Sequence, residues 1–166
     1  MKNSKKFVRN NKQGFTLLEL LVVVAIIGIL ASVIFVALSD SQKKGADAAV
    51  KANLSTIRGE SELFALDNND SFLPSGGTTF GIATCPAYNV SGTDMLSKDK
   101  TIADAIAEAV KRGTGGSCYN SSLNWVVAVG LKSNADTSWC VDSGGNSRQV
   151  ASAPASAING ATFSCN

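Results

Sequence analysis

The chain has 166 residues, a net charge of +2, no histidine and four cysteines. Without histidine there is no Ser-His-Asp or Cys-His arrangement, a zinc site finds little support, and neither G-x-x-x-x-G-K-[ST] nor G-x-G-x-x-G occurs. No enzymatic activity, cofactor or metal site is therefore expected, and the length suits one globular head at about 100 to 200 residues per domain.

Residues 1–14 carry Lys2, Lys5, Lys6, Arg9 and Lys12 and no acid. They lack the apolar core and small-residue cleavage site of an ordinary secretory signal. This leader holds five of the fifteen basic residues and none of the thirteen acids, so its removal turns +2 into −3. Five cations before the apolar run, against Lys43 and Lys44 after it, place the leader in the cytoplasm and the remainder outside.

From Phe15 to Leu38 the chain is almost wholly apolar, and Glu19 is the one charged residue. As a helix this run measures about 36 Å, enough to cross a hydrocarbon core of about 30 Å. An acid at the bilayer centre costs about 2.5 to 3.5 kcal/mol on insertion scales, so Glu19 asks for a partner. A free amine at Phe15 would be one: two unit charges 4 Å apart attract by about 4 kcal/mol at an effective dielectric of 20. Residues four apart share a helix face, which permits pairing within one chain; a carboxylate snorkelling to the headgroups is the remaining option. Gly28 and Ser32 form a small-xxx-small spacing suited to close helix contact in lipid.

The run KKFVRNNKQGFTLLELLVVVAIIGILA resembles the N-terminal signature of type IV pilins and the pseudopilins of type II secretion, over roughly residues 9–38. The resemblance implies cleavage between Gly14 and Phe15 by a membrane prepilin peptidase that also N-methylates Phe15. It further implies that Glu19 draws the Phe15 amine of a neighbouring subunit during assembly. Where many relatives carry a helix-breaking proline, this chain departs from the pattern with Val33, Ile34, Phe35 and Val36. The expected fold class is α+β and pilin-like: a long N-terminal helix, half membrane-spanning and half amphipathic, packed on a small antiparallel sheet head with disulfides.

Helical periodicity continues from Asp40 to Asp67, with Ala46, Val50, Leu54, Ile57, Ser61 and Phe64 as the stripe facing the head. One helix from Phe15 to about Asp67 would be near 80 Å long at about 1.5 Å per residue. Asp67-Asn68-Asn69-Asp70 and Pro74-Ser75-Gly76-Gly77 predict its termination and a loop. An EF-hand counted from Asp67 fails, because Phe72 and Thr78 stand where glycine and glutamate are needed.

Thr101 to Asp104 reads as a capping box opening a short helix that Gly113 closes. Gly113-Thr114-Gly115-Gly116 follows as a flexible loop. Residues 123–129 read as a strand, and residues 138–142 and 148–150 as a hairpin around Ser143-Gly144-Gly145-Asn146, with Trp125 and Trp139 as sheet or core residues. The tail from Ala151 is small and polar, with Cys165 holding its end.

Cys85, Cys118, Cys140 and Cys165 all lie in the outward portion, with no C-x-x-C pair among them, and read as two disulfides. Pairing in sequence order closes the shorter loops, although sequence leaves three connectivities open. Basic pairs such as Lys111-Arg112 are too scattered for a nucleic-acid stripe, and no nucleic-acid partner is expected.

The organisation expected is a removed leader (1–14), a polymerisation helix (15–38) and an exported head (39–166). The function expected is a structural subunit of a type IV pilus. Its partners are copies of itself, the prepilin peptidase and N-methyltransferase, the membrane, and the inner-membrane platform with its assembly ATPase. It passes from a single-pass inner-membrane precursor to the cell surface. Alternatives are a pseudopilin of type II secretion or DNA uptake, and a membrane-anchored binding module that does not polymerise.

Overall fold

The computed structural model describes residues 14–166; of the expected leader, residues 1–14, all but Gly14 lies outside the described residues. Helix α1 runs Leu17–Asp67, and the chain divides between Ser39 and Asp40 into two compact units.

In the first unit the helix is a single apolar rod. Its 18-residue window reaches a mean hydropathy of 3.2, long and apolar enough to cross a membrane, and its described side chains are exposed apart from a half-buried Ala31.

The second unit is α+β. After the head half of α1 come β1 (Phe80–Thr84), α2 (Met95–Lys98), α3 (Lys100–Arg112), β2 (Gly116–Asn120), β3 (Trp125–Gly130), β4 (Ser138–Asp142) and β5 (Ser147–Val150). The five strands form one antiparallel sheet in the order β1-β2-β3-β4-β5. A 3-10 turn (Pro154–Ala157) leads to a two-stranded ribbon of β6 (Ile158–Asn159) and β7 (Ser164–Cys165).

Strand β3, Trp-Val-Val-Ala-Val-Gly, is buried along its whole length. Trp125, Val127 and Val129 join Val50, Leu54 and Ile57 of α1, and Met95, Leu96, Ile102 and Ile106 of α2 and α3, in the main core. Val126 and Ala128 join Tyr119, Cys140, Ala157, Ile158 and Cys165 in a second cluster. Alternation puts successive side chains on opposite faces of a strand, and a strand covered on both faces reads as a continuous apolar run.

Helix α1 ends where expected, at Asp67. Asn69 and Asp70 adopt φ of 58° and 57°, a left-handed region that their short polar side chains tolerate. The Asp70 amide donates back to the Ala65 carbonyl.

Three expectations are corrected. The short helix does not open with a capping box at Thr101. Asp99 is its N-cap, accepting from the Ile102 amide, and Asp104 instead pairs with Lys100. An aspartate one residue outside a helix satisfies an orphan N–H more directly than a threonine within its first turn. The Gly113–Gly116 segment is not a flexible loop: Thr114 N–H donates to Gly130, whose own N–H donates to Gly115. A Cβ on Gly113 would lie 2.4 Å from the Gly130 carbonyl, and Gly115 holds φ +120°, so the helix-to-strand turn needs glycine at both places.

The buried stripe of α1 is also rotated from its reading. Asp47 and Ala65 are buried beside Val50, Leu54, Ile57 and Ser61, whereas Ala46 and Phe64 are only half-buried. Asp47, 6% exposed, accepts hydrogen bonds from the backbone amides of Lys132 (2.6 Å) and Ser133 (3.2 Å). A carboxylate is tolerated there because it satisfies two loop N–H groups.

The disulfides join Cys85 to Cys118 and Cys140 to Cys165. The first ties the end of β1 to β2; the second ties β4 to the terminal ribbon. Asp142 completes the second closure, accepting from the Cys165 amide and from the backbone and side chain of Asn146. Burial opposes its charge, but these bonds and one from Gly144 outweigh it and hold its carboxyl below the usual carboxylate range.

Candidate functional site at the start of helix α1

The residues singled out for processing and assembly, Gly14, Phe15 and Glu19, lie together at the start of α1. Gly14, Phe15 and Thr16 precede the helix, and Phe15 is 83% exposed. A Cβ added to Gly14 would meet nothing within 4 Å, so nothing in the fold demands glycine there.

Thr16 is the helix N-cap. Its hydroxyl accepts from the Glu19 amide at 3.2 Å, while Glu19 Oε2 accepts from the Thr16 amide at 3.0 Å and hydroxyl at 2.8 Å. This is a reciprocal capping box, which satisfies two of the helix's orphan donors. Thr16-Leu17-Leu18-Glu19 carries the S/T-x-x-E signature of that motif; its presence in the sequence was a signal that pairing arguments about Glu19 alone overlooked.

Glu19 therefore turns toward its own helix start. Among the described residues its other oxygen, Oε1, accepts no hydrogen bond and is open to a cation. Here Gly14 and Phe15 are still joined by a peptide bond; hydrolysis of that bond would place a new ammonium one residue before the cap. The capping box thus fixes the carboxylate near the point where a chain terminus would be created, with one acceptor oxygen left over.

Around this polar start the helix offers only hydrocarbon: Leu17, Leu18, Leu20 and Leu21 are between 60% and 82% exposed. Apolar surface this extensive is the mark of a membrane or of packing against other helices. The four cysteines lie in the other unit and take no part in this site.

Residues 9–35 match the family described as "Prokaryotic N-terminal methylation motif". Over 59 residues the chain is 44% identical to the "Type IV wide pilus major component PilA4" of Thermus thermophilus. That match takes in 36% of this chain and 45% of the Thermus protein's length. No solved structure matches.

Proposed function

We propose that this chain, which bears the N-terminal signature of the type IV pilin and pseudopilin family, is a structural subunit that polymerises through helix α1 into a surface pilus. The observation that carries the reading is the junction itself: a glycine the fold does not need, an exposed Phe15, and a capped Glu19 at the head of an exposed apolar rod. A glycine that the fold does not need, at the junction where the resemblance places cleavage, is in keeping with a processing site. Cleavage after Gly14 leaves the rod on the product, and methylation of the new Phe15 amine keeps its positive charge.

In the membrane the subunit is held by residues 15–38, with the leader in the cytoplasm and the head outside. Assembly exchanges lipid contacts for contacts between rods. Glu19 Oε1 supplies the acceptor for the Phe15 ammonium of an adjacent copy, which neutralises two charges that hydrocarbon disfavours. The partners are further copies, the prepilin peptidase and N-methyltransferase, and the inner-membrane platform with its ATPase.

Similarity to a pilus major component favours a pilus over a secretion pseudopilus or a DNA-uptake filament built by the same steps. Intact-mass measurement of the mature subunit, with electron microscopy of sheared surface filaments, tests the proposal. The expected product starts at a methylated Phe15 and is the principal filament protein. Retention of residues 1–14 on a monomeric membrane protein would instead favour an anchored binding module.

A further inference from the structure

Asn-x-Ser, with any residue but proline between, is the acceptor pattern for N-linked glycan transfer, and it occurs four times in the chain, at Asn53, Asn69, Asn89 and Asn120. The structure separates the four. A glycan is bulky and needs a surface loop. Asn53-Leu54-Ser55 lies within α1, where Leu54 is wholly buried and the Ser55 hydroxyl donates to the Ala52 carbonyl. Asn120 is wholly buried at the end of β2, its Oδ1 accepting from the Met95 amide and its Nδ2 donating to the Ser121 carbonyl. Neither presents a free amide to a sugar donor in the folded head.

Asn69 and Asn89 are exposed and lie outside helices and strands. In Asn89-Val90-Ser91 the Asn89 Oδ1 accepts from the Ser91 amide. At Asn69-Asp70-Ser71 two adjacent asparagines divide the work. Asn68 Nδ2 donates to the Phe64 carbonyl at the end of α1, whereas the Asn69 side chain has no hydrogen-bond partner among the described residues. The Ser71 oxygen accepts from the Leu73 amide at 3.1 Å, which leaves its hydroxyl proton and a second lone pair for another partner.

Charge distinguishes Asn69 from Asn89. Two residues before Asn69 stands Asp67, exposed and in no ion pair among the described residues. The equivalent positions hold Lys51 before Asn53, Ala87 before Asn89 and Cys118 before Asn120. A carboxylate on one side of the asparagine and a hydroxyl on the other give an enzyme two handles on the acceptor, the first suited to a cationic subsite.

We infer that Asn69 is an N-glycosylation site, modified on the outer side of the membrane by a transferase that holds Asp67 and Ser71. The donor is a glycan carried on a polyprenyl pyrophosphate. Asn69 Nδ2 bonds the anomeric carbon and loses one proton to a base of the transferase. The bond from that carbon to the pyrophosphate oxygen breaks, and the lipid pyrophosphate leaves with the electron pair. To enter the transferase the segment gives up two hydrogen bonds, Leu73 to Ser71 and Asp70 to Ala65, both local to the helix end. The inference rests on the proposed export of the head and does not require polymerisation.

The test is made on subunits purified from the membranes and surface filaments of the source cells. After reduction, trypsin releases Gly59–Lys98, which carries both Asn69 and Asn89, and electron-transfer fragmentation locates any added mass. The expected result is a glycan on Asn69 and a bare Asn89. Asp67→Ala should lower occupancy about tenfold or more and Ser71→Ala should abolish it, while Asp67→Glu and Ser71→Thr retain it. Asn69→Asp keeps a short polar side chain at a position of φ 58°, so it should remove the glycan and leave the near-ultraviolet dichroism of the head unchanged. A bare Asn69 on an exported subunit, a glycan on Asn89 in its place, or undiminished occupancy in Asp67→Ala would overturn the inference. Sugar carried only on serine or threonine hydroxyls would do the same. A head that a membrane-impermeant reagent cannot reach in intact cells would remove both this inference and the proposed function. An exported, filament-forming subunit with a bare Asn69 would remove this inference alone.

Discussion

Replacing Glu19 separates two roles that its geometry allows. As the last residue of a capping box it accepts two hydrogen bonds from Thr16, and loss of a cap costs about 1 kcal/mol, within a range of about 0.5 to 2. As counter-charge to a Phe15 ammonium it is worth more: about 4 kcal/mol of gross attraction at 4 Å and an effective dielectric of 20, nearly three factors of ten in an equilibrium constant. Thr16→Ala breaks the box and keeps the carboxylate. If Glu19 acts between subunits, Thr16→Ala should lower filament yield no more than about tenfold, whereas Glu19→Ala should lower it by about a hundredfold or more. Glu19→Ala should leave cleavage after Gly14 intact, since the carboxylate is not part of the scissile bond. The assay is the mass of sheared filaments per cell, alongside the N-terminal mass of the membrane-bound subunit. Equal losses for the two variants would refute the intersubunit charge pair and leave a helix cap in its place.

Three further outcomes follow from other residues. Gly14→Ala should abolish processing while leaving the fold untouched, because its added Cβ meets nothing within 4 Å; normally shortened protein in that variant would contradict the cleavage site. Asp47→Ala should destabilise the head by about 2 to 4 kcal/mol, since it strands two amide donors now bound by a carboxylate, with Asp47→Asn recovering part of the loss; near-ultraviolet dichroism of the detergent-solubilised chain against denaturant measures this, and a loss below about 0.5 kcal/mol would count against it. Asp142 has a folded pKa below its ordinary value, so its contribution is fully present above the unfolded carboxylate pKa of about 3.9 and is lost as pH falls through the folded value. Stability should therefore drop as pH is lowered beneath about 4, and Asp142→Asn should flatten that part of the profile; an unchanged acid limb in the variant would remove Asp142 as its cause.

Much of the molecule was legible along the chain because it depends on local physics. Composition alone marks residues 15–38 as a rod too apolar to stay in water, and one acid within it stands out against that background. The head half of α1 was readable from its period, and its end from residues that tolerate positive φ. Four cysteines, all beyond the apolar rod, made two bridges possible. The strands from β3 to β5 showed through β-branched and aromatic runs separated by a glycine-rich turn.

What escaped reading was decided by partners far away in sequence. Strands β1 and β2 have little strand character of their own; Gly116-Ser117-Cys118-Tyr119-Asn120 becomes a strand because β3 offers it a full ladder. Nothing in the sequence around Asp47 marks it for burial, yet it is buried because the amides of residues 132 and 133 fold back onto it. The same holds for Asp142, whose hydrogen bond to the Cys165 amide helps turn a small polar tail into a ribbon beneath the sheet. Periodicity reports which face of an element is apolar, but not which backbone donors will arrive to satisfy a buried carboxylate or which strand will claim a weak neighbour. Those choices were made when the chain closed its long loops, where only three-dimensional proximity sets the energy.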